Sequence, residues 1–197
     1  MLKRILYWAI SVLVPVILVL TAVRLLMSPA FLRLEYGMPN FPEDNYGFSQ
    51  QDRLEWAPIA LEYLLNDAQI SFLGDLEIED GSPLYNEREL SHMVDVKVLT
   101  QQALAFWVAG LTVIVGLGIW AWRGDWWQDY KYLLARGGKI TASAIGVLII
   151  FVIISFNQIF IGFHRIFFEG DTWLFLYSDT LIRLFPMRFW QDVFISL

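Results

Sequence analysis

Long hydrophobic stretches separated by polar segments dominate the pattern of the chain. Three stretches carry no charged residue, namely Ile5–Val23, Val98–Trp122 and Ile140–Phe163, with 19, 25 and 24 residues. A helix of about 20 residues, rising about 1.5 Å per residue, crosses the roughly 30 Å hydrocarbon core of a bilayer. The pattern therefore predicts a mainly α-helical, polytopic membrane protein with transmembrane helices in segments 1–27, 98–122 and 140–163.

The first hydrophobic stretch is compatible with either a cleaved signal or a retained anchor. Secretory signals have an apolar region of about 7 to 15 residues followed by a small-residue cleavage site. Ser28-Pro29-Ala30 matches such a site only loosely, and the stretch is longer than usual. Pro15 is compatible with a span, since neighbouring helices can tolerate a kink. We therefore expect residues 1–27 to stay as an N-terminal transmembrane helix.

Polar segments separate and follow the predicted spans. Residues 28–97 form an insert, in which Ser49 precedes leucines at helical spacing and Asn86 begins an Asn-x-x-Glu pattern. Both are predicted N-caps, the second of a helix that runs into the next span. Residues 123–139 are predicted to be a loop. Residues 164–197 contain no charge-free window long enough to span, and their aromatic residues are typical of an interfacial segment.

The distribution of charge predicts the orientation of these segments. The 197 residues carry 14 basic and 20 acidic side chains, a net charge of −6, but the insert alone has 14 acidic and 4 basic side chains. Basic residues precede the first span and follow the second, and an excess of Lys and Arg marks the cytoplasmic side. The N-terminus and residues 123–139 are therefore predicted to be cytoplasmic, and the insert and residues 164–197 to lie outside. The basic residues concerned are Lys3, Arg4, Arg123, Lys131, Arg136 and Lys139.

Composition excludes several functional classes. The chain has no cysteine and only two histidines, which excludes disulfide scaffolds, zinc fingers and cysteine nucleophiles and disfavours a metal site with several imidazoles. We expect no metal site. The chain also lacks the basic patch that phosphate contacts require, so nucleic acid is not an expected partner.

The two histidines are predicted to lie at the same face of the membrane. His92 precedes the second uncharged stretch by six residues, and His164 directly follows the third. If residues 87–99 are helical, Glu89, His92 and Asp95 share one face, where a carboxylate fixes the tautomer of an imidazole. A histidine next to a membrane span is more often an interfacial anchor or a hydrogen-bonded packing residue than a catalytic one. Further charged residues at the same predicted depth are Lys97, Arg165, Glu169, Asp171 and Asp179.

These residues also carry a resemblance to a known family. Residues 89–97 resemble the E-x-x-H-M-x-D-V-K signature of the bacterial lipoprotein intramolecular transacylases, and residues 163–173 resemble their F-H-x-x-F-F-x-G-D-x-W signature. Asp179 and the segment from Phe185 to Trp190 are similar to the family's approach to its last helix. The resemblance implies a fourth transmembrane helix, and the sequence ends where that helix would begin.

The resemblance implies a reaction at the outer leaflet of the bacterial cytoplasmic membrane. Members of this family move an acyl chain from the sn-2 position of a diacylglyceryl lipoprotein to the α-amino group of the same N-terminal cysteine. Diacylglyceryl-modified lipoproteins and membrane lipids are thus the implied partners, and no cofactor or external acyl donor is needed.

The resemblance also implies roles for individual residues. His92 and His164 match the family's two histidines and are the expected acid and base, in an order that the sequence leaves open. Glu89 and Asp95 are candidates to orient His92. Lys97 or Arg165 is expected to favour the oxyanion, and Asp171 of the second signature is a further supporting residue.

A second hypothesis concerns the acidic insert. Fourteen carboxylates within residues 28–97 are also compatible with a membrane protein without enzymatic activity whose outer region binds a partner or hard cations, which take oxygen ligands. The insert has no EF-hand-like spacing, and acidic runs usually form a solvated face. The oligomeric state is not indicated by the sequence.

Overall fold

Three long helices form the scaffold of the protein: α1 (Leu2–Leu26), α5 (Glu87–Arg123) and α6 (Trp127–Phe167). This computed structural model describes residues 2–197, with side chains from residue 6 onward, so Met1 and the side chains of Lys3 and Arg4 lie outside the described residues. Each long helix is long and apolar enough to cross a membrane. The predicted fold class is therefore confirmed. The shorter helices are α2 (Pro29–Tyr36), α3 (Gln50–Leu65), α4 (Ser71–Gly74), α7 (Thr180–Leu184) and α8 (Met187–Ile195).

Helix α1 packs parallel to α6. The Tyr7 hydroxyl donates a hydrogen bond of 2.6 Å to Asp129 Oδ2, and Val14, seven residues further along α1, faces Gly137, eight residues further along α6. The similar spacing of these contacts fixes the axial register between the two helices. Any residue of α6 therefore lies beside the α1 residue numbered about 122 or 123 lower, as long as α1 continues.

Helix α1 packs antiparallel to α5. Ile17 of α1 covers Gly110 of α5, and Trp107 Nε1 donates a hydrogen bond of 2.9 Å to the Thr21 hydroxyl. The 37 residues of α5 measure about 55 Å at 1.5 Å per residue, more than the roughly 30 Å core of a bilayer. The first turns of α5 therefore extend beyond the membrane-crossing part of the bundle.

The predicted loop 123–139 is wrong in its extent, because α6 already begins at Trp127. Only residues 124–126 connect the two long helices. Residues 127–139 contain strong helix formers such as Lys, Leu and Ala, and one face of this segment, with Tyr130, Leu133 and Gly137, is buried against the bundle. Tertiary packing thus extends the helix through a segment that its charges had suggested was a loop.

Replacing Gly137 by alanine is expected to destabilise the α1–α6 contact. A Cβ at this position would lie 2.6 Å from Cβ and from Cγ1 of Val14, and a branched side chain next to its own backbone cannot withdraw. Overpacking of this kind costs about 1–3 kcal/mol, so thermal unfolding in detergent should occur at a lower temperature.

The matched control is Gly138→Ala. A Cβ there has nothing within 4 Å, and alanine is favoured over glycine in a helix by up to about 1 kcal/mol. An unchanged melting temperature for Gly137→Ala would contradict the close approach of α1 and α6.

The insert and the end of the chain fold together into a cap over the end of the bundle at which α5 begins. Asn86 caps α5 and Ser49 caps α3, each through a capping box, as the sequence predicts. The buried Arg53 guanidinium of α3 donates to the carbonyl oxygens of Pro42 at 2.7 Å and Arg183 at 2.8 Å, which ties three segments of the cap together. A shared hydrophobic core fills the cap, with Ala60, Tyr63, Leu73, Leu84, Tyr85, Met93, Leu181 and Leu184.

Helix α8 closes the cap against both α2 and α6. Phe189 is buried in a cluster with Leu32 and Tyr36 of α2, while the ring centroid of Phe194 lies 5.9 Å from that of Phe156 on α6. Aromatic side chains therefore dominate the contacts of α8. With nine residues, α8 is too short to cross a bilayer.

The buried carboxyl of Glu35 makes the contact between α2 and α8 sensitive to pH. Glu35 is 0% exposed, and burial together with the neighbouring carboxyl of Asp192 raises its pKa to about 7. Its ordinary pKa is about 4.3. Because the folded-state pKa is the higher one, the stability is present below pH 4 and is lost as the pH rises toward and through 7.

We therefore expect the melting temperature to fall between pH 5.5 and pH 8, by roughly 3 °C or more. Glu35→Gln should reduce this fall, because it mimics the protonated carboxyl at every pH. Glu55→Gln, at an exposed position on α3, is the control and should melt like the wild type. An equal pH dependence in Glu35→Gln and wild type would contradict this assignment.

Candidate active site

The two histidines meet at the junction between the long helices and the cap. His92 lies in the second turn of α5, and His164 lies in the last turn of α6. Their ring centroids are 6.0 Å apart and their planes are inclined by 23°. Helix α6 departs from helical backbone angles at Ser155, so His164 belongs to the part of α6 that follows this kink.

Aromatic rings surround both imidazoles. Phe168 lies edge-on to His92 at 4.8 Å between centroids, and Phe175 does so at 5.3 Å. His164 has Phe160 at 4.1 Å and Trp173 at 5.0 Å. The site is thus an apolar niche in which the two imidazoles are the titratable groups that face each other.

The hydrogen bonds assign a tautomer to His164. Its Nδ1 lies 2.7 Å from the carbonyl oxygen of Phe160, which can only accept, so Nδ1 carries the proton and Nε2 keeps the lone pair when the ring is neutral. His92 is 6% exposed, and its buried Nδ1 has no hydrogen-bond partner among the described residues. The pair therefore has a free basic nitrogen, Nε2 of His164, and a buried nitrogen without a hydrogen bond to any described residue, Nδ1 of His92.

Of the two carboxylates expected beside His92, Glu89 is buried and Asp95 is exposed. Both oxygens of Glu89 are used by backbone N–H groups, Oε2 by Asn86 at 2.9 Å and Oε1 by Leu181 at 2.7 Å. Glu89 thus connects the start of α5 to the start of α7. Within residues 2–197, no ion pair joins a carboxylate to either imidazole.

The two predicted cations lie in different surroundings. Lys97 is buried, with Nζ 2.6 Å from the Ala68 carbonyl oxygen, 3.2 Å from Asn66 Oδ1 and 4.0 Å from the ring centroid of Tyr63. It therefore fastens the loop after α3 to α5. Arg165 is exposed beside His164 in the sequence, and Asp171 is exposed in the loop that follows α6.

The loop of residues 168–179, which covers the imidazoles, is fastened at its far end to the start of α5. Asp179 accepts hydrogen bonds from the Leu176 backbone at 2.8 Å and from Asn86 Nδ2 at 3.2 Å. The Thr180 hydroxyl donates to the Leu84 carbonyl oxygen at 2.5 Å. These contacts hold the loop, and hence Trp173 and Phe175, over the histidines.

The sequence pattern predicts Trp173 and Phe175 to be interfacial residues, and the structure places both rings against the imidazoles. Trp173 and Phe168 belong to the second signature, and this was the sign in the sequence that they lie near the histidines. In the part of the chain that the structure describes, no three side chains of the metal-ligating types form a group that could hold a metal ion.

Comparisons with known proteins identify a matching family and a relative. The family model for the lipoprotein intramolecular transacylase Lit matches residues 8–190. An uncharacterized protein of Aquifex aeolicus (strain VF5) is 29% identical over 180 residues, which cover 86% of this chain and 75% of that protein. No solved structure matches the chain. The matched residues include both histidines and the loop that covers them.

Proposed function

Because the chain belongs to the lipoprotein intramolecular transacylase family, we propose that it transfers an acyl chain within diacylglyceryl-modified lipoproteins. The chain moves from the sn-2 ester of the lipid to the α-amino group of the lipoprotein's N-terminal cysteine, giving the lyso form. The observation that carries this proposal is the pair of imidazoles 6.0 Å apart in an apolar niche. The partners are the lipoprotein and the surrounding membrane lipids.

The reaction balances without a cofactor. The amine nitrogen, once it has lost a proton, attacks the ester carbonyl, and a tetrahedral intermediate forms. The bond from this carbon to the sn-2 oxygen then breaks, and that oxygen gains a proton to become a hydroxyl. One N–C bond replaces one O–C bond, and the only transfer besides the acyl group is that of one proton from nitrogen to oxygen.

We assign the role of base to His164. Burial lowers the pKa of His92, so its ring is neutral near pH 7, and we propose that His92 receives the proton taken by His164 and passes it to the leaving sn-2 oxygen. Nε2 of His164 has the free lone pair that can accept the amine proton, whose own pKa is near 7.7–8.0. The ring centroids are 6.0 Å apart, so both imidazoles lie close enough to one bound substrate to act on its amine and its ester. Because ester and amine belong to one molecule, proximity lowers the barrier further.

The supporting residues act around this pair. Glu89 fixes the geometry of the cap through its two backbone hydrogen bonds. Lys97 already has three neutral partners, so we propose the exposed Arg165 as the cation that favours the oxyanion. Asp95 and Asp171, both exposed, are proposed to act from the rim of the site, where they can meet the substrate's ammonium group.

The proposed location is the bacterial cytoplasmic membrane, with the N-terminus in the cytoplasm. This orientation follows the excess of Lys and Arg in residues 123–139. It places the cap and the histidines at the outer leaflet, where lipoproteins are anchored.

The decisive experiment is mass spectrometry of lipoprotein N-terminal peptides from cells with and without the gene. We expect the α-amino group to carry an acyl chain, and the glycerol to have lost one, only when the gene is present. The same diacyl pattern in both strains would contradict the proposed reaction. It would favour the hypothesis of a binding protein instead.

A further inference from the structure

Two cationic residues of α6, Arg136 and Lys139, lie well inside the part of the bundle where the neighbouring helices carry no charge. Tyr7 of α1 is bonded to Asp129 of α6, and Val14 of α1 faces Gly137. Arg136 therefore lies level with the middle of α1, and its guanidinium carbon lies 4.9 Å from the ring centroid of Trp8. Lys139, three residues further along, is exposed and lies deeper still.

The level of Lys139 can be estimated from the helix rise. Helix α6 begins at Trp127, immediately after α5 ends at Arg123, so Lys139 is about 18 Å along α6 from that end of the bundle at 1.5 Å per residue. At this level α1 and α5 contain only uncharged residues, within Ile5–Val23 and Val98–Trp122. The uncharged stretch of α6 thus starts about 18 Å further along the bundle than those of its neighbours.

No carboxylate among the described side chains pairs with either of these cations. In the described part of the chain the ion pairs of arginine and lysine all lie in the cap, and none includes Arg136 or Lys139. The nearest carboxylate along α6, Asp129, lies almost two turns away from Arg136 and already accepts a hydrogen bond from Tyr7. A cation at membrane depth is costly unless a partner or water reaches it.

Arg136 and Lys139 share one face of α6 with Tyr132. The spacings of four and three residues place these three side chains above one another, and Tyr132 is 67% exposed. Next to this face, α1 exposes the side chains of Trp8 and Val12, at 56% and 62%. Cationic and hydroxyl hydrogen-bond donors therefore lie next to exposed apolar side chains that an acyl chain can contact.

We infer that this face of α6, together with Trp8 and Val12 of α1, binds an anionic phospholipid from the leaflet at which α1 begins. The phosphate group lies between Arg136 and Lys139 and accepts a hydrogen bond from Tyr132, and an acyl chain lies along Trp8 and Val12. Basic sites between transmembrane helices recognise acidic lipid headgroups in this way. The phosphate of the bound lipid neutralises the two cations. Its headgroup then lies further along α6 than the headgroups that surround α5.

Native mass spectrometry of the full chain tests this inference, after reconstitution with phosphatidylglycerol or with phosphatidylcholine of the same acyl chains. We expect bound phosphatidylglycerol to be retained in preference to phosphatidylcholine. Removal of a cation weakens such binding by about 1 kcal/mol, or about fivefold. Arg136→Gln and Lys139→Gln should each lose that factor, and Arg136→Lys should lose less because it keeps the charge.

Arg123→Gln is the matched control, since it removes one exposed charge at the end of α5 and should keep the preference. Equal binding of the two lipids by the wild type would overturn the inference, and so would an equal loss in Arg123→Gln. Soluble glycerol phosphate is expected to compete only weakly, and full competition by it would mean that the site binds free phosphate and not lipid. None of these outcomes depends on the transacylase reaction, which has a separate test.

Discussion

His164→Ala is expected to lower the rate of acyl transfer by about 10²- to 10⁴-fold, the usual contribution of a positioned acid or base. Nε2 of this ring is the proposed acceptor of the amine proton, because Nδ1 donates to the Phe160 carbonyl oxygen. The measurement is the rate at which the purified protein converts a synthetic diacylglyceryl lipopeptide to its lyso form, followed by mass spectrometry. The melting temperature should change little, since the His164 ring is only partly buried.

His92→Ala should lower the same rate by a comparable factor. The double variant His92→Ala/His164→Ala should be scarcely slower than either single variant, because groups that act as a unit give non-additive losses. Asn157→Ala is the control: it changes an exposed polar residue on the same helix as His164 and should react at the wild-type rate. Full activity in both single histidine variants would contradict the assignment of the acid and base.

Local signals in the sequence predicted the starts of α3 and α5. Ser49 was identified from the leucines at helical spacing that follow it and Asn86 from its Asn-x-x-Glu pattern, and both form capping boxes. The hydrophobic stretches likewise located the three long helices. Such features depend on residues within one or two turns, which a single sequence displays directly.

The arrangement around the histidines could be predicted only in part. Topology indicated that His92 and His164 lie at one level, but their 6.0 Å separation depends on the register of α5 against α6. The partners of Glu89 and Lys97 also come from residues far away in the sequence, Leu181 and Asn66 among them. Charge and spacing reveal that a side chain needs a partner, and packing of the whole cap decides which one it has.

The second large effect is expected for Glu89→Ala, through the loss of stability in the cap. The Glu89 carboxylate is 1% exposed, and it accepts the backbone N–H groups of Asn86 and Leu181. Removing it leaves the buried N–H group of Leu181 without a partner, which costs about 1–3 kcal/mol, and the partly buried N–H group of Asn86 loses its capping bond as well. The melting temperature should fall accordingly. Glu87→Ala, an exposed acid two residues away in the same turn, should have a much smaller effect.

Glu89→Gln separates a positioning role from an imidazole-orienting role. Glutamine keeps one carbonyl oxygen for Asn86 or Leu181 but turns its NH₂ group towards the other backbone N–H. If Glu89 acts by fastening α7 to α5, this variant should melt at a lower temperature, and amide hydrogen exchange in residues 168–179 should accelerate. Acyl transfer should also slow, because Trp173 and Phe175 are no longer held over the imidazoles. If Glu89 instead orients His92, the variant should keep the wild-type melting temperature and exchange rates and shift only the pH profile of transfer. The two backbone hydrogen bonds favour the first outcome, because each oxygen of Glu89 already accepts a backbone N–H group and neither is left to orient His92.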